Sequence, residues 1–392
     1  MKRELSALSG HPTSKRPNRT SYNPAEEIKR LQSDSTGCND QSQCPLFSVI
    51  PPEIRNDIFR YALAEVETVD DQYDINTCWR RPGYLAPHRT HTDLLRTCKR
   101  IYSEAWHLPW AGAEHVFYFA WDGRKPERTV ELNDMQDILD AVYLSQGEQD
   151  IEHIHIFAQL CNLEDGSNFR SVCDLRAFHP RRLTVTIRHT DFWSWEDDAP
   201  MSLSGAWVSY QTELPESVTE FKLDLESIVQ RKDSVDFLAD NIAEKWHLKR
   251  KDGAVLLPEP IERSVMTWTG SSTWQGRRWI GDEVRENELD YYVRTVTFKL
   301  NSARLPKGNC PNIDVPDDVA NRRRLGPYSI PSGALVNLGV PTTANAETIR
   351  RAWFEGREEM DDDDGESENE DYDYDDGGDE DGDTDSGDDE SG

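Results

Sequence analysis

The sequence predicts a mixed α+β, in part α/β, protein: a helical module near the N-terminus packed on an irregular mixed sheet with covering helices, between two disordered tails. Three observations carry this. Apolar residues recur at helical spacing in stretches between residues 44 and 147. Beyond residue 150 the period shortens to two in four stretches, with a helical stretch among them. Residues 1–43 and 358–392 carry too few large apolar side chains to offset the entropy of ordering. The expected divisions are therefore 1–43, 44–147, 148–357 and 358–392.

The first helix is read in "IPPEIRNDIFRYAL", residues 50–63. Ile54, Ile58, Tyr61 and Ala62 fall on one helical stripe, and Arg55, Asn56, Asp57 and Arg60 fill the other side. Pro51 and Pro52 suit the entry, where a missing N–H leaves nothing unbonded, and Glu53 complements the helix dipole. Residues 64–90 read as a polar loop. In "HTDLLRTCKRIYSEAWHLPW", Leu94, Cys98, Ile101, Tyr102 and Ala105 form a second stripe, widened by Leu95 and Trp106. Thr92 or Asp93 is its cap and Pro109 its end. "HVFYFAW", residues 115–121, is rich in aromatics and reads as a strand. In "ELNDMQDILDAVYLSQG" a third helix places Leu132, Met135, Leu139 and Val142 on one face and stops at Gly147.

The strands follow. "IEHIHIFAQL" alternates Ile154, Ile156, Ala158 and Leu160 against His153, His155, Phe157 and Gln159. "RLTVTIRHT", "VTEFKLDLES" and "VRTVTFKLNS" alternate in the same way. The helix "SVDFLADNIAEKWHL" has Ser234 as its expected cap and Val235, Leu238, Ile242 and Trp246 on one stripe. The strand shape starting at Ile151 recurs at Val218 and Val293, 67 and 75 residues apart, far beyond a leucine-rich repeat. One irregular domain is expected, not a solenoid. Residues 301–345 read as an extended wrap, and "AETIRRAWFEGREEM" as a last helix with Ile349, Ala352 and Trp353 inward.

Charge narrows the function classes. The formal net charge is −30; residues 358–392 hold 21 acidic residues and no Lys or Arg, which leaves −9 on residues 1–357. A mildly acidic body lacks the basic footprint of a nucleic-acid binder. No run of about 18 apolar residues predicts a membrane span. The start has no apolar segment of the secretory kind. Seven scattered cysteines without a C-x-x-C pair read as reduced thiols, which places the chain inside the cell, in cytoplasm and/or nucleus, and supports no thiolate zinc site. The acidic tail reads either as a solubilising brush or as a surface for basic proteins such as histones, or for Arg322, Arg323 and Arg324 of the same chain.

Candidate chemistry is sparse. His153 and His155 lie two apart on one strand face, a spacing that metal sites use, but no acidic or thiol residue beside them shares that face, since Asp150 and Glu152 alternate onto the other. They read as packed, hydrogen-bonded strand histidines, and no metal or cofactor is expected. "TWTGSSTWQGRRW" sets Trp268, Trp274 and Trp279 beside Arg277 and Arg278, and "DFWSWEDDAP" holds Trp193 and Trp195. These are either a rim that anchors a target protein or tryptophans that cover the sheet. No nucleophile elbow, P-loop, dinucleotide fingerprint or H-E-x-x-H motif occurs, so no catalytic residue is named and an enzyme is not expected.

One resemblance adds to this. Ile50, Pro51, Glu53, Ile54, Arg55 and Ile58, then Leu94, Leu95, Thr97, Cys98, Ile101, Glu104 and Ala105, then Phe117 and Phe119, resemble a fungal F-box-like family. Its pattern is Leu-Pro-x-Glu-Ile-Arg-x-x-Ile, Leu-Leu-x-Thr-Cys-x-x-Ile-x-x-Glu-Ala and Asn-x-Phe-x-Phe. Ile50 stands for the usual Leu, His115 for the usual Asn, and the spacer between the first two helices is longer than in a compact F-box. The resemblance covers residues 46–119 and implies a non-enzymatic adaptor. Its first helices would bind a Skp1-type subunit of a cullin ubiquitin ligase, and its C-terminal domain would present an unidentified target protein. The partner-binding residues so implied are Ile50, Pro51, Ile54, Ile58, Leu63, Leu94, Leu95, Cys98 and Trp106. The same residues would look alike if they packed on the chain's own body, or did both. The alternative is a stand-alone scaffold with no ligase link, whose acidic tail contacts basic partners.

Overall fold

The computed structural model describes residues 39–361, apart from 40, 198, 210–211, 260–263, 284, 302–307, 321–328, 332–333, 335–336, 338 and 342–343. Nearly all of the two predicted tails, and Arg322, Arg323 and Arg324, lie outside the described residues.

The chain opens with a small helical module. Helices α1 (Pro45–Ser48) and α2 (Pro52–Ala62) lead to a two-stranded ladder, β1 (Glu65–Glu67) with β2 (His88–Thr90). A 3-10 turn over Asp93–Arg96 precedes α3 (Lys99–Ala105) and α4 (Leu108–Gly112). The second predicted helix is thus two helices and a turn. Cys98 caps α3, its sulfur accepting from the Ile101 N–H, so the helix starts later than the Thr92 or Asp93 cap implies. Pro109 does not end α3, which stops at Ala105; it sits in the first turn of α4, where its missing N–H is harmless.

The body holds an eight-stranded mixed sheet and, beside it in the chain, a separate three-stranded one over Thr273–Trp274, Arg277–Arg278 and Ile330–Pro331. In chain order its elements are β3 (Glu114–Phe119), α5 (Leu132–Gln146), β4 (Asp150–Ala158), α6 (Leu160–Leu163), α7 (Ser167–Cys173), β5 (His179–Ile187), α8 (Ala206–Ser209), β6 (Glu220–Ile228) and α9 (Lys232–Lys245). Then follow β7 (Leu248–Lys249), β8 (Val255–Pro258), β9 (Val265–Ser271), β10 (Thr273–Trp274), β11 (Arg277–Arg278), β12 (Glu288–Asn301), α10 (Asp317–Ala320), β13 (Ile330–Pro331) and α11 (Ala346–Asp361). Strands β3, β4, β5 and β6 are parallel neighbours, as strand–helix alternation dictates. The long β12 runs antiparallel to β6 and offers its other edge to β9 and β8.

Register explains the shared strand shape. Ile154, Leu183, Phe221 and Phe298 are cross-strand neighbours in one row, and Ile156, Val185, Leu223 and Val296 form the next. Both rows are buried. Met135 and Leu139 of α5, and Val235, Leu238 and Ile242 of α9, complete this core on the faces that periodicity assigned them, and Val142 of α5 is buried as well. Ser234 is not the cap of α9: the helix begins at Lys232, and Ser234 is buried in its first turn. The last helix, Ala346–Asp361, follows the expected stretch to within one residue, and its Ile349 packs against Ile280 and Ile330.

Residues 64–90, expected to be only a polar loop, hold the β1–β2 ladder and lie across the second face of the sheet. Tyr84 of this segment packs edge-on against Phe157 and His155. Both sides of β4 are therefore buried, and this is why its alternate positions are not simply polar.

Candidate functional site

Helix α2 buries Arg55 and Phe59 and delivers Leu63 to the same interior, one residue out of phase with the predicted stripe. With Ile101, Ala105 and Leu108 these apolar side chains form a small core of their own, against which Leu94, Leu95 and Cys98 are half-buried. Arg55 was placed on the outer polar side by its charge. It goes inward because its donors are matched: Nε and Nη2 reach the Glu104 carboxylate at 3.0 and 3.2 Å, and Nη1 reaches the Ile50 carbonyl at 2.9 Å. Phe59 gains more from burial than either isoleucine.

The predicted apolar stripe, for which docking on a partner and packing inward were both open, consequently faces out. Ile54 is 51% exposed, Ile58 39% and Tyr61 85%, with Pro51 and Val49 beside them in the open. Ile50 and Trp106 are half-buried. Leu63, predicted to touch a partner, is only 1% exposed and belongs to the module's interior.

The predicted tryptophan rim is largely dismantled. Trp195, Trp274 and Trp279 are buried and stacked on one another, with centroids 4.3 Å apart for Trp195 and Trp279. Trp274 and Arg277 flank a two-residue turn in which Gln275 and Gly276 both take positive φ, the geometry of a tight hairpin. Arg278 is buried in an ion pair with Glu283. Trp268 is half-buried, stacked on Tyr291 at 4.1 Å, and donates to Glu226. Arg277 is exposed. Trp193, 61% exposed, meets Trp121, 57% exposed, edge to face. Trp121 was not singled out in the sequence, where it is one aromatic at the end of a strand.

Under residues 64–90 the sheet carries a polar row. Glu114 of β3 lies beside His153 and His155 of β4, with its Oε1 2.8 Å from His153 Nδ1 and 3.2 Å from His155 Nδ1. The Tyr84 hydroxyl is 2.8 Å from Glu114 Oε2 and in close contact with His155 Nδ1. Thr184 and Thr186 of β5 bond the far nitrogens, Nε2, of His153 and His155 at 2.8 Å each. Asp224 of β6 accepts from Thr186 and from Thr295. Burial pushes the Tyr84 hydroxyl well above its ordinary range and His155 below its own. Burial also opposes the charge on Glu114, yet hydrogen bonding from His153 foremost holds it well below the usual carboxylate range. Among the described residues, Glu114, His153 and His155 form a set whose ligand atoms all lie within 4.8 Å of one another. The carboxylate that sequence proximity could not supply comes from a neighbouring strand.

No family model, characterised protein or solved structure matches the chain. Among the described residues no helix is long and apolar enough to cross a membrane, and the six described cysteines are unbridged.

Proposed function

We propose that the protein is a non-enzymatic adaptor whose helical module docks, through the outer face of α2, on an apolar-surfaced subunit of the Skp1 type in a cullin ubiquitin ligase. One observation supports this most. The module has its own interior in Phe59, Leu63, Ile101, Ala105 and Leu108, so Val49, Ile54, Ile58 and Tyr61 are not needed to hold it together. Isolated exposed apolar residues are ordinary, but four gathered at one short helix and its lead-in suit a partner. Covering each contributes about 1.5–3 kcal/mol against an association cost of about 4–15 kcal/mol, so flanking half-buried Ile50 and Trp106 would have to take part. The exposed pair Trp121 and Trp193, across the body, is the corresponding candidate for the target protein, since rigid aromatics make strong anchors.

The test is a binding measurement with a purified Skp1-type subunit, using wild type and Ile54→Asp/Ile58→Asp. Capture by the wild type and loss in the variant, with unchanged folding, supports the adaptor. A wild type that captures nothing removes the ligase link and leaves the stand-alone scaffold, whose acidic segment lies outside the described residues.

A further inference from the structure

We propose that Glu114, His153 and His155, with the Tyr84 hydroxyl in the fourth position, form a site for one divalent transition-metal ion of the zinc class, which ties residues 64–90 to the sheet. This is independent of the docking proposal. It rests on a count of protons and lone pairs. Asp224 accepts from Thr295 at 2.6 Å and from Thr186 at 3.0 Å. A threonine hydroxyl has one proton, and Thr186 gives it to Asp224. Its oxygen must then accept from His155, so His155 Nε2 carries the N–H and Nδ1 turns a lone pair inward. That lone pair faces Glu114 Oε1 at 3.2 Å. The Tyr84 hydroxyl has a single proton for two waiting acceptors, His155 Nδ1 and Glu114 Oε2. In this tautomer His155 Nδ1 and Glu114 Oε2 share the single Tyr84 proton, and a divalent cation in its place, with that proton released to solvent, satisfies both acceptors.

The donor set selects the ion. Two imidazole nitrogens, a carboxylate and a phenol oxygen suit Zn²⁺ and its neighbours better than Ca²⁺ or Mg²⁺, which prefer oxygen alone. Bonds of about 2.0–2.2 Å around a tetrahedral ion put neighbouring ligands roughly 3.3 Å apart. The Glu114 oxygen lies 2.8 and 3.2 Å from the two imidazoles and need retreat only slightly, whereas the Tyr84 hydroxyl, in closer contact with His155 Nδ1, has to move outward by more. Thr184 and Thr186 bond the far imidazole nitrogens, the outer support that metal-binding histidines use. Glu114 and His153 are each 21% exposed, which leaves a way in from solvent. The ligands come from β3, β4 and the segment between the helical module and the sheet, an arrangement for fastening two layers.

The experiment is isothermal titration of the chelator-treated full chain with ZnCl2, comparing wild type with Glu114→Gln and His153→Asn, followed by X-ray absorption on the zinc-loaded wild type. The expected result is one tight equivalent in the wild type, lost from both variants, with a nitrogen and oxygen shell containing two imidazoles. The acidic residues of 358–392 offer weak cation binding common to all three proteins, so the difference between them is the readout. Circular dichroism confirms that each variant is folded; His153, at the more open edge of the cluster, serves should Glu114→Gln fail to fold. No tight equivalent in the wild type, equal uptake by a folded variant, or sulfur in the shell would overturn the proposal.

Discussion

Arg55 and Glu104 stand 49 positions apart in sequence and meet as a two-pronged ion pair, guanidinium to carboxylate at 3.0 and 3.2 Å. The pair joins α2 to α3 across the whole of residues 64–90. Arg100 also reaches Glu104, at 3.2 Å, and lies over the Phe47 ring. Arg55→Ala leaves the Ile50 carbonyl and the carboxylate without their main donor, and should destabilise the module by about 2–4 kcal/mol. Arg55→Lys should recover only part, because an ammonium cannot span both oxygens. Urea unfolding followed by amide exchange in α2 reads both; an Arg55→Lys protein as stable as wild type would show that the fork is not what matters.

The two faces of α2 should respond oppositely to truncation. Phe59→Ala opens a cavity in the module's interior and should cost about 3–5 kcal/mol. Ile54→Ala, on the exposed side, should change stability by no more than about 0.5 kcal/mol. Thermal melts of the two variants suffice, and equal losses would place Ile54 inside.

The tryptophans divide in the same way. Trp195→Ala removes a buried ring packed against both Trp274 and Trp279 and should cost about 3–5 kcal/mol. Trp193→Ala should leave stability nearly unchanged and weaken target binding, if the exposed pair with Trp121 is the anchor. Fluorescence-detected unfolding separates them; a strongly destabilised Trp193→Ala protein would contradict the exposed placement.

A pH signature follows from His189 and Asp282, both buried, with Nε2 and Oδ2 3.9 Å apart. Burial, aided by Arg231, pushes His189 down to about 3. Burial pushes Asp282 up to about 7 against the pull of Arg231 and Arg350. A raised carboxyl stabilises the fold below its unfolded value, about 4, and loses this as pH rises through 7. A lowered imidazole stabilises fully above about 6.5 and loses this as pH falls toward 3. Between about pH 4 and 6.5 the pair holds one proton folded, on Asp282, and one unfolded, on the imidazole, so its net contribution is flat. Relative to wild type, Asp282→Asn should lose stability on acidification through this window, by up to about 1.4 kcal/mol per pH unit. His189→Gln should lose it in the opposite direction, as pH rises from about 4 to 7. Urea midpoints at three pH values decide; slopes of one sign in both variants would dissolve the pair.

Periodicity made α5, α9 and strands β4, β5, β6 and β12 legible, because each buries one continuous row against the same core. It failed at α2, where two overlapping stripes one residue apart were available. The choice between Ile54 with Ile58 and Phe59 with Leu63 was made by Glu104, which gives a buried arginine its partner. Likewise spacing left Trp195, Trp274 and Trp279 open between a rim and a cover for the sheet, and the turn at Gln275 and Gly276 brings Trp274 and Trp279 together on the covering side.

The sequence by itself determined the strand–helix alternation, the covering faces and the absence of familiar catalytic motifs, since these depend on neighbours along the chain. Only the tertiary structure decided which side of α2 is free, which tryptophans are exposed, and that Glu114 stands against His153 and His155. Those depend on sheet order and on residues 64–90 crossing the sheet, and local spacing carries no record of which distant segments are brought into contact.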